Sequence, residues 1–285
     1  MQQTTDLHMH SFYSEDGEYS PGALVRMCAE AGIEKMALSD HNTVAGVAEA
    51  VQKAAHLNID CCPAIEIDCC HENISLHVLG YGIDYNSRDF TAVEQNVRKQ
   101  CAAASRERLE LINGLGFILT ESDMAEMTAN SYWKECWTGE LFAEALLGRE
   151  EYLKCDILKP YRRGGARADN PFVNFHWDYC SQGKPCYVKI DYPSLQEVTA
   201  IIHDNGGQAV LAHPGVNLKG RFEKIGELIP LGLDGLEAFS SYHDEDSARW
   251  FYNKAVASGI KATRGSDFHG KTKPSVRLGV TPRLI

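Results

Sequence analysis

Two histidines one residue apart open the chain, in Thr4-Thr5-Asp6-Leu7-His8-Met9-His10. An extended backbone sends His8 and His10 to one face and Leu7 and Met9 to the other. Two imidazoles aimed at one point can hold a transition metal, and they can equally sit in water on a surface strand. What else the chain brings to the same place decides between these. Residues of ligand type recur at His41, Glu66, His77, His213, Asp267 and His269, with Asp16 and Asp40 in neighbouring loops. Together they could bind divalent cations, because crowded carboxylates and imidazoles repel one another until a metal sits between them.

The elements that must position these residues read as alternating strands and helices. Ser20-Pro21 caps a helix whose stripe is Leu24, Val25, Cys28 and Ala29, ending at Gly32. The strand Lys35-Met36-Ala37-Leu38-Ser39 runs into Asp40-His41, and Thr43 is placed to cap a helix with Val44, Val47, Val51 and Ala55 inward. Cys61-Cys62-Pro63-Ala64-Ile65-Glu66-Ile67 is an apolar run of the kind buried on both faces, where a charge is costly unless paired or metal-bound. Ile74 to Tyr81 forms another strand around His77.

After a long gap the rhythm resumes. Ser194-Leu195-Gln196-Glu197 is a capping box, Gln208 to Ala212 a strand ended by His213-Pro214-Gly215, and Gly235 to Phe239 a further strand before a helix at Arg249 to Ala257. Ile260 to Thr263 then leads into Arg264-Gly265-Ser266-Asp267-Phe268-His269. Such alternation predicts a parallel α/β sheet, and in a parallel barrel the strand C-termini share one rim where catalytic groups gather. The stretch 85–185 carries helical stripes and no strand signal. It is expected to be a mostly helical insertion serving as a substrate lid, leaving 1–84 and 186–285 as the barrel.

Composition narrows the class. At 285 residues and 44% hydrophobic content the chain is long enough for one large α/β domain. No apolar run approaches a membrane span and the first residues lack the form of a signal peptide, so a cytoplasmic location is expected. The ten cysteines include no Cys-x-x-Cys and are expected to be reduced. A formal charge of −11 disfavours binding along duplex nucleic acid but leaves a nucleotide substrate open.

A single buried histidine is more often hydrogen-bonded in a core than metallated, and His56, His71, His176, His203 and His243 suit that account. The strand-end histidines do not, because they recur at one topological position.

His8-Met9-His10, Ser39-Asp40-His41-Asn42-Thr43, Glu66, His77, Ala212-His213-Pro214 and Gly265-Ser266-Asp267-Phe268-His269 resemble, in order, the motifs of the PHP (polymerase and histidinol phosphatase) family. The match covers residues 4 to 84 and 187 to 280 and is nearest in character to stand-alone phosphoesterases related to nucleoside 3′,5′-bisphosphate phosphatases. The resemblance implies a distorted (β/α)7 barrel with three divalent metal ions, of manganese, iron or zinc type. It assigns one ion to His8, His10, Glu66 and Asp267, a second to Glu66, His77 and His213, and a third to Asp16, His41 and His269, with Glu15 as an alternative to Asp16. Glu66, Asp267 and His213 are then the catalytic residues, and Asp40 orients a histidine. The reaction expected is attack on a phosphate monoester of a small metabolite by a hydroxide held between metals. A metal-dependent C–N hydrolase and a noncatalytic metal-binding module are the alternatives. No strand ends in the lysine that amidohydrolases carry, and no ligand is missing.

The chain departs from nucleotide-binding relatives where they have Thr-Arg-x-His, for which it has Thr138-Gly139-Glu140-Leu141. Arg264 is the substrate-binding candidate, as a phosphate ligand or as a partner of Glu237. Arg106, Arg108, Arg162, Arg163, Arg167 and Lys184 are further cations of the insertion. The aromatics from Tyr132 to Trp137 either stack a base or pack the insertion onto the barrel.

Overall fold

The computed structural model describes residues 4–282. Seven strands form one sheet in sequence order: β1 (Thr5–Asp6), β2 (Lys35–Leu38), β3 (Asp60–His71), β4 (Ile74–Tyr81), β5 (Gln208–Leu211), β6 (Gly235–Ser240) and β7 (Lys261–Gly265). The sheet nearly closes, because the chain after β1 lies against β7. Leu7 N donates to Arg264 O at 3.0 Å, and Asp267 N donates to His8 O at 2.8 Å. Buried Asp6 ties the same seam, accepting from the Ser266 amide and hydroxyl and from the Gly279 amide. The architecture is a distorted (β/α)7 barrel.

One strand runs against the expected parallel rhythm. β4 pairs antiparallel with both β3 and β5. The cause is local: β3 and β4 are joined by the two-residue hairpin Glu72-Asn73, with Glu72 at φ 53°, and so short a link cannot make a parallel crossover. His77 therefore reaches the rim from the N-terminal half of its strand.

Helices cover the outside. α1 (Pro21–Glu30) starts at the Ser20 cap as its sequence predicts. α2 (Val47–His56) begins later than Thr43, which instead donates its hydroxyl to Glu94 Oε2 at 2.6 Å. Its buried side is Val47, Ala50 and Ala54, not the stripe through Val51 and Ala55.

The segment between β4 and β5 carries α3 (Arg88–Gly114), α4 (Glu121–Met127), α5 (Gly139–Leu147) and α6 (Pro171–Phe175), and no strand among the described residues. Their apolar faces gather in a cluster of their own around Leu109, Phe142, Leu146 and Phe175. α7 (Leu195–Asp204) opens on the Ser194/Glu197 capping box, and α8 (Pro214–Leu218), α9 (Ile225–Leu228) and α10 (Glu245–Ala257) complete the outer layer.

Alternation along the strands sorts two layers. Ile65 and Ile67 of β3, Leu76 and Val78 of β4, and Leu236 and Ala238 of β6 face outward into the main core. Ala37, Ala64, Leu79, Tyr81, Val210 and Ala212 face inward and fill the lower barrel. Further along the same inward rows are Glu66 and Asp68 of β3 and His77 of β4, so the barrel has an apolar floor and a polar ceiling. Leu7 departs from the predicted alternation. It packs into the interior floor while Met9 joins the cluster of Met36, Leu38 and Phe268, because β1 ends at Asp6 and regular strand alternation does not extend past it.

Candidate metal centre

Glu66, on the inward row of β3, is fully buried. Five imidazoles converge on its carboxylate. His8 Nε2, His10 Nε2 and His41 Nδ1 lie 3.0, 3.2 and 3.3 Å from Oε2. His77 Nδ1 and His213 Nε2 lie 3.1 and 3.2 Å from Oε1. Three nitrogens on one oxygen exceed its two lone pairs. His10 Nε2 and His41 Nδ1 have in fact no hydrogen-bond partner despite being buried.

Partners behind three of the rings fix which nitrogen carries the proton. Glu237 Oε1 is 2.9 Å from His8 Nδ1, so that nitrogen donates and Nε2 turns a lone pair inward. The carbonyl of Asp267 does the same for His269 Nδ1 at 2.9 Å. For His10 the backing is a relay: Ser14 Oγ donates to Asp40 Oδ1 at 3.0 Å, so His10 Nδ1–H donates to Oγ at 3.0 Å. Asp40 thus orients a histidine as expected, through Ser14. The inward Nε2 lone pairs of His8 and His269 then lie 3.0 Å from Glu66 Oε2 and 3.2 Å from Asp16 Oδ2. Lone pair against lone pair is repulsive unless a proton or a cation lies between them.

The ionisation balance shows the same strain. Burial alone would lower the pKa of His8, but Glu237, Glu66 and Asp267 around it hold it well above the ordinary range. Burial likewise opposes the charge on Glu66, yet His8, His41 and His77 keep its pKa well below the usual carboxylate range. Burial pushes His41 down to about 4, against the pull of Glu66.

Three donor sets have ligand atoms within 4.8 Å of one another among the described residues: His8 with Glu66, His213 and Asp267; His41 with Glu66 and His77; and His10 with His41 and His269. All nine residues nominated from sequence are thereby brought together, Asp16 through His269. Glu15 is not among the ion pairs of the described histidines, and burial pushes its carboxyl well above the usual range. His213 and Asp267 sit at φ 23° and 59°, a left-handed region that non-glycine residues avoid outside functional sites. The chain accepts close packing here too. A side chain on Gly265 would place its Cβ 2.1 Å from His8 Cβ.

Arg264 is not brought to the cluster. Gly265 faces His8, so its neighbour on β7 faces the opposite side, where the Arg264 guanidinium stacks 4.7 Å from the Phe239 ring and reaches Thr281 Oγ1 at 3.2 Å. Glu237 is occupied by His8 and by the His213 amide, at 2.9 and 2.8 Å. Four of the cations of 85–185 find partners within that same segment. Arg167 pairs with Asp178, Arg106 with Glu121, and Arg108 and Arg162 reach backbone carbonyls. Trp133 and Trp137 are buried and pack, Trp133 also donating to the Tyr13 carbonyl.

Three residues at the site were not singled out from sequence. Asp68 Oδ1 is 3.3 Å from His77 Nε2, and its even spacing from Glu66 is the signal that could have found it. Tyr242 and Lys273 both reach Asp267 Oδ2, at 2.6 and 2.7 Å. They come from loops after β6 and β7, where no periodicity marks them.

Comparison with known proteins shows the family. The family model described as PHP domain matches residues 6–154, just over half of the sequence. The chain belongs to the PHP domain family, and its class is that of the metal-dependent phosphoesterases.

It is 28% identical to a 3′,5′-nucleoside bisphosphate phosphatase of Chromobacterium violaceum, over 98% of this chain and 92% of that one. It is 28% identical to the 5′-3′ exoribonuclease Rnm of Escherichia coli, over 96% and 87%. It is also 25% identical to a phosphoribosyl 1,2-cyclic phosphate 1,2-diphosphodiesterase of Eggerthella lenta, over 93% and 94%.

Among solved structures it superposes at a TM-score of 0.79 on one named an amidohydrolase from Chromobacterium violaceum, holding sulfate and no metal, at 27% identity over 99% of this chain and 92% of that one. A provisionally named metal-dependent phosphoesterase from Bifidobacterium adolescentis gives 0.79 at 25% identity, over 98% and 92%. No helix of the described residues is long and apolar enough to cross a membrane.

Proposed function

We propose that this phosphoesterase hydrolyses a phosphate monoester of a small metabolite, of the nucleotide or nucleoside bisphosphate class, at a centre built for three divalent ions. The observation that carries the reading is the ring of five imidazoles on buried Glu66, an array of converging donor atoms suited to divalent cations. His8, Glu66, His213 and Asp267 would hold one ion, His41, Glu66 and His77 a second, and His10, His41 and His269 with Asp16 a third. Relative to the assignment the family resemblance implies, His213 joins the first set and His10 the third. Bound there, divalent ions would supply Lewis acidity and neutralise developing charge on phosphoryl oxygens. Manganese, iron and zinc all suit mixed imidazole and carboxylate donors.

The chain's own residues bind and orient. Glu66 and Asp267 would provide negative charge to the bound ions, and His213 stands at the rim with Nδ1 unpaired. In the overall reaction a water oxygen bonds to phosphorus, the ester P–O bond breaks, and the departing oxygen gains a proton. Residues 85–185 serve as a lid over this rim. The segment is fastened to barrel loops by the Trp133 bond to Tyr13, by Lys271 Nζ to Glu144 Oε1 at 2.6 Å, and by Ser275 N to Asn170 Oδ1 at 3.0 Å. A cleft of about 210 Å³ between lid and barrel is lined by Ser14, Asp16, Thr138, Glu140 and Phe172.

The test is phosphate release by the manganese-loaded protein from mononucleotides, 3′,5′-bisphosphates, short oligonucleotides and sugar phosphates. Release from a bisphosphate or mononucleotide supports the reading. A blank panel with metal bound would overturn it.

A further inference from the structure

Asp267 is a divided carboxylate. Its Oδ1 turns toward His8 and His10 Nε2, at 3.2 and 3.1 Å, and has no hydrogen-bond partner. Its Oδ2 accepts from two donors on the other side, the Tyr242 hydroxyl at 2.6 Å and Lys273 Nζ at 2.7 Å. Lys273 is 7% exposed, and its ammonium lies 5.6 Å from the Tyr242 ring centroid and 3.4 Å from His269 Nε2. Asp267 is its one carboxylate partner among the described ion pairs.

A buried ammonium beside a site for several dications is a like-charge conflict. Without metal, Asp267 neutralises it. Cations bound at Oδ1 would draw on the charge of Asp267, Lys273 would share that single anion with them, and its three N–H donors would be left with one strong acceptor. A group that satisfies both sides must be anionic, must carry several acceptor oxygens, and must enter between the ions and the ammonium. A phosphoryl group has that form. Tyr242 stands beside the same space. Its ring is 5.9 Å from that of His213 and 6.2 Å from that of Trp177, so it links the metal rim to the insertion. Two other positions do not supply a phosphate cation: Gly139 stands in place of the arginine of nucleotide-binding relatives, and Arg264 faces away.

Resting on the phosphoesterase reading, we propose that Lys273, assisted by Tyr242, is the substrate-phosphate ligand of this enzyme, gripping the phosphoryl oxygens that face away from the metals. Lys273 is a binding residue rather than a holder of Asp267. The part of the substrate beyond the phosphate then lies toward Trp177.

The test compares wild type with Lys273→Met, Lys273→Arg and Tyr242→Phe, all as full chains loaded with manganese. Inorganic phosphate is the probe, its binding read by calorimetry and its inhibition by steady-state kinetics. Bound metal per chain is counted by elemental analysis and folding is checked by thermal unfolding. Lys273→Met is expected to weaken phosphate binding and raise KM about 10- to 100-fold, the worth of one charge-assisted hydrogen bond, with bound metal unchanged. Lys273→Arg should restore most of the loss, and Tyr242→Phe should show a smaller one. Phosphate affinity unchanged in Lys273→Met overturns the proposal. So does a parallel loss of metal in both lysine variants, which would make Lys273 a positioning residue for Asp267. If wild type releases no phosphate from any substrate, the phosphoesterase reading fails, while the phosphate-binding comparison still decides the role of Lys273.

Discussion

His8 and Glu237 stand 229 residues apart in sequence and 2.9 Å apart in space, both with fully buried side chains. The contact spans the barrel from its first inward imidazole to its sixth strand, and it decides that Nε2 of His8 faces Glu66. Glu237→Gln replaces a charged acceptor with a neutral one and weakens that constraint. Metal affinity is expected to fall about 10- to 100-fold, as for other partners that orient metal-binding histidines. Competition against a chromophoric chelator measures it, and affinity equal to wild type would show that His8 needs no such backing.

Ser14 joins three groups at once. Its hydroxyl donates to Asp40, accepts from the His41 amide at 2.9 Å and receives His10 Nδ1. Ser14→Ala leaves those buried groups short of partners. A loss of about 1–3 kcal/mol is expected from urea unfolding, with a drop in metal affinity because His10 is freed to rotate.

Gly265 marks the closest approach of β7 to the site. A methyl there would meet His8 Cβ at 2.1 Å and Glu237 Oε1 at 2.6 Å, and the His8 amide nitrogen at 2.8 Å blocks retreat. Gly265→Ala is expected to cost about 1–3 kcal/mol, as overpacking does, and to leave the protein short of bound metal after manganese loading. Wild-type stoichiometry in this variant would mean that the strand shifts without disturbing the ligands.

The pH dependence of stability should differ with and without metal. In the metal-free protein burial opposes the charge on His77, but Asp68 and Glu66 raise its pKa to about 9, above the ordinary value of about 6.5. A folded pKa raised in this way stabilises the fold fully below pH of about 6.5 and loses that contribution as pH rises toward about 9. His8 and His10, also raised, act in the same direction. Metal binding needs the neutral imidazoles, so it strengthens over the same window. Thermal unfolding between these limits should show the metal-free Tm falling and the gap between loaded and metal-free protein widening. A constant gap would mean that metal and proton do not compete for these rings.

Stripping the ions should remove activity and leave a folded barrel. The apolar floor of Ala64, Leu79, Tyr81 and Val210 and the outer core do not depend on the centre. A chelator is therefore expected to abolish phosphate release, restored by manganese, with far-UV circular dichroism unchanged. Activity that survives exhaustive chelation would refute metal dependence.

The spacing of the sequence marked the polar ceiling of this barrel. Glu66 within its apolar run and His77 between aliphatic neighbours follow from strand alternation, a local property that period two makes visible, while His8-x-His10 and Asp267-x-His269 lie just past the ends of β1 and β7 and were legible as closely spaced ligand types. The caps at Ser20 and Ser194 are local in the same way, and both helices start where their sequences place them. Tertiary structure decided what depends on distant partners. The reversed direction of β4 came from a two-residue hairpin. The outward face of Arg264 came from Gly265 having to clear His8, a contact between opposite ends of the chain. Tyr242 and Lys273 lie in loops, and only closure of the sheet delivers them to Asp267. Which nitrogen of each histidine faces the centre was decided by Glu237, the Asp267 carbonyl and Ser14, because a proton's place on an imidazole is set by its partner and not by its position in the chain.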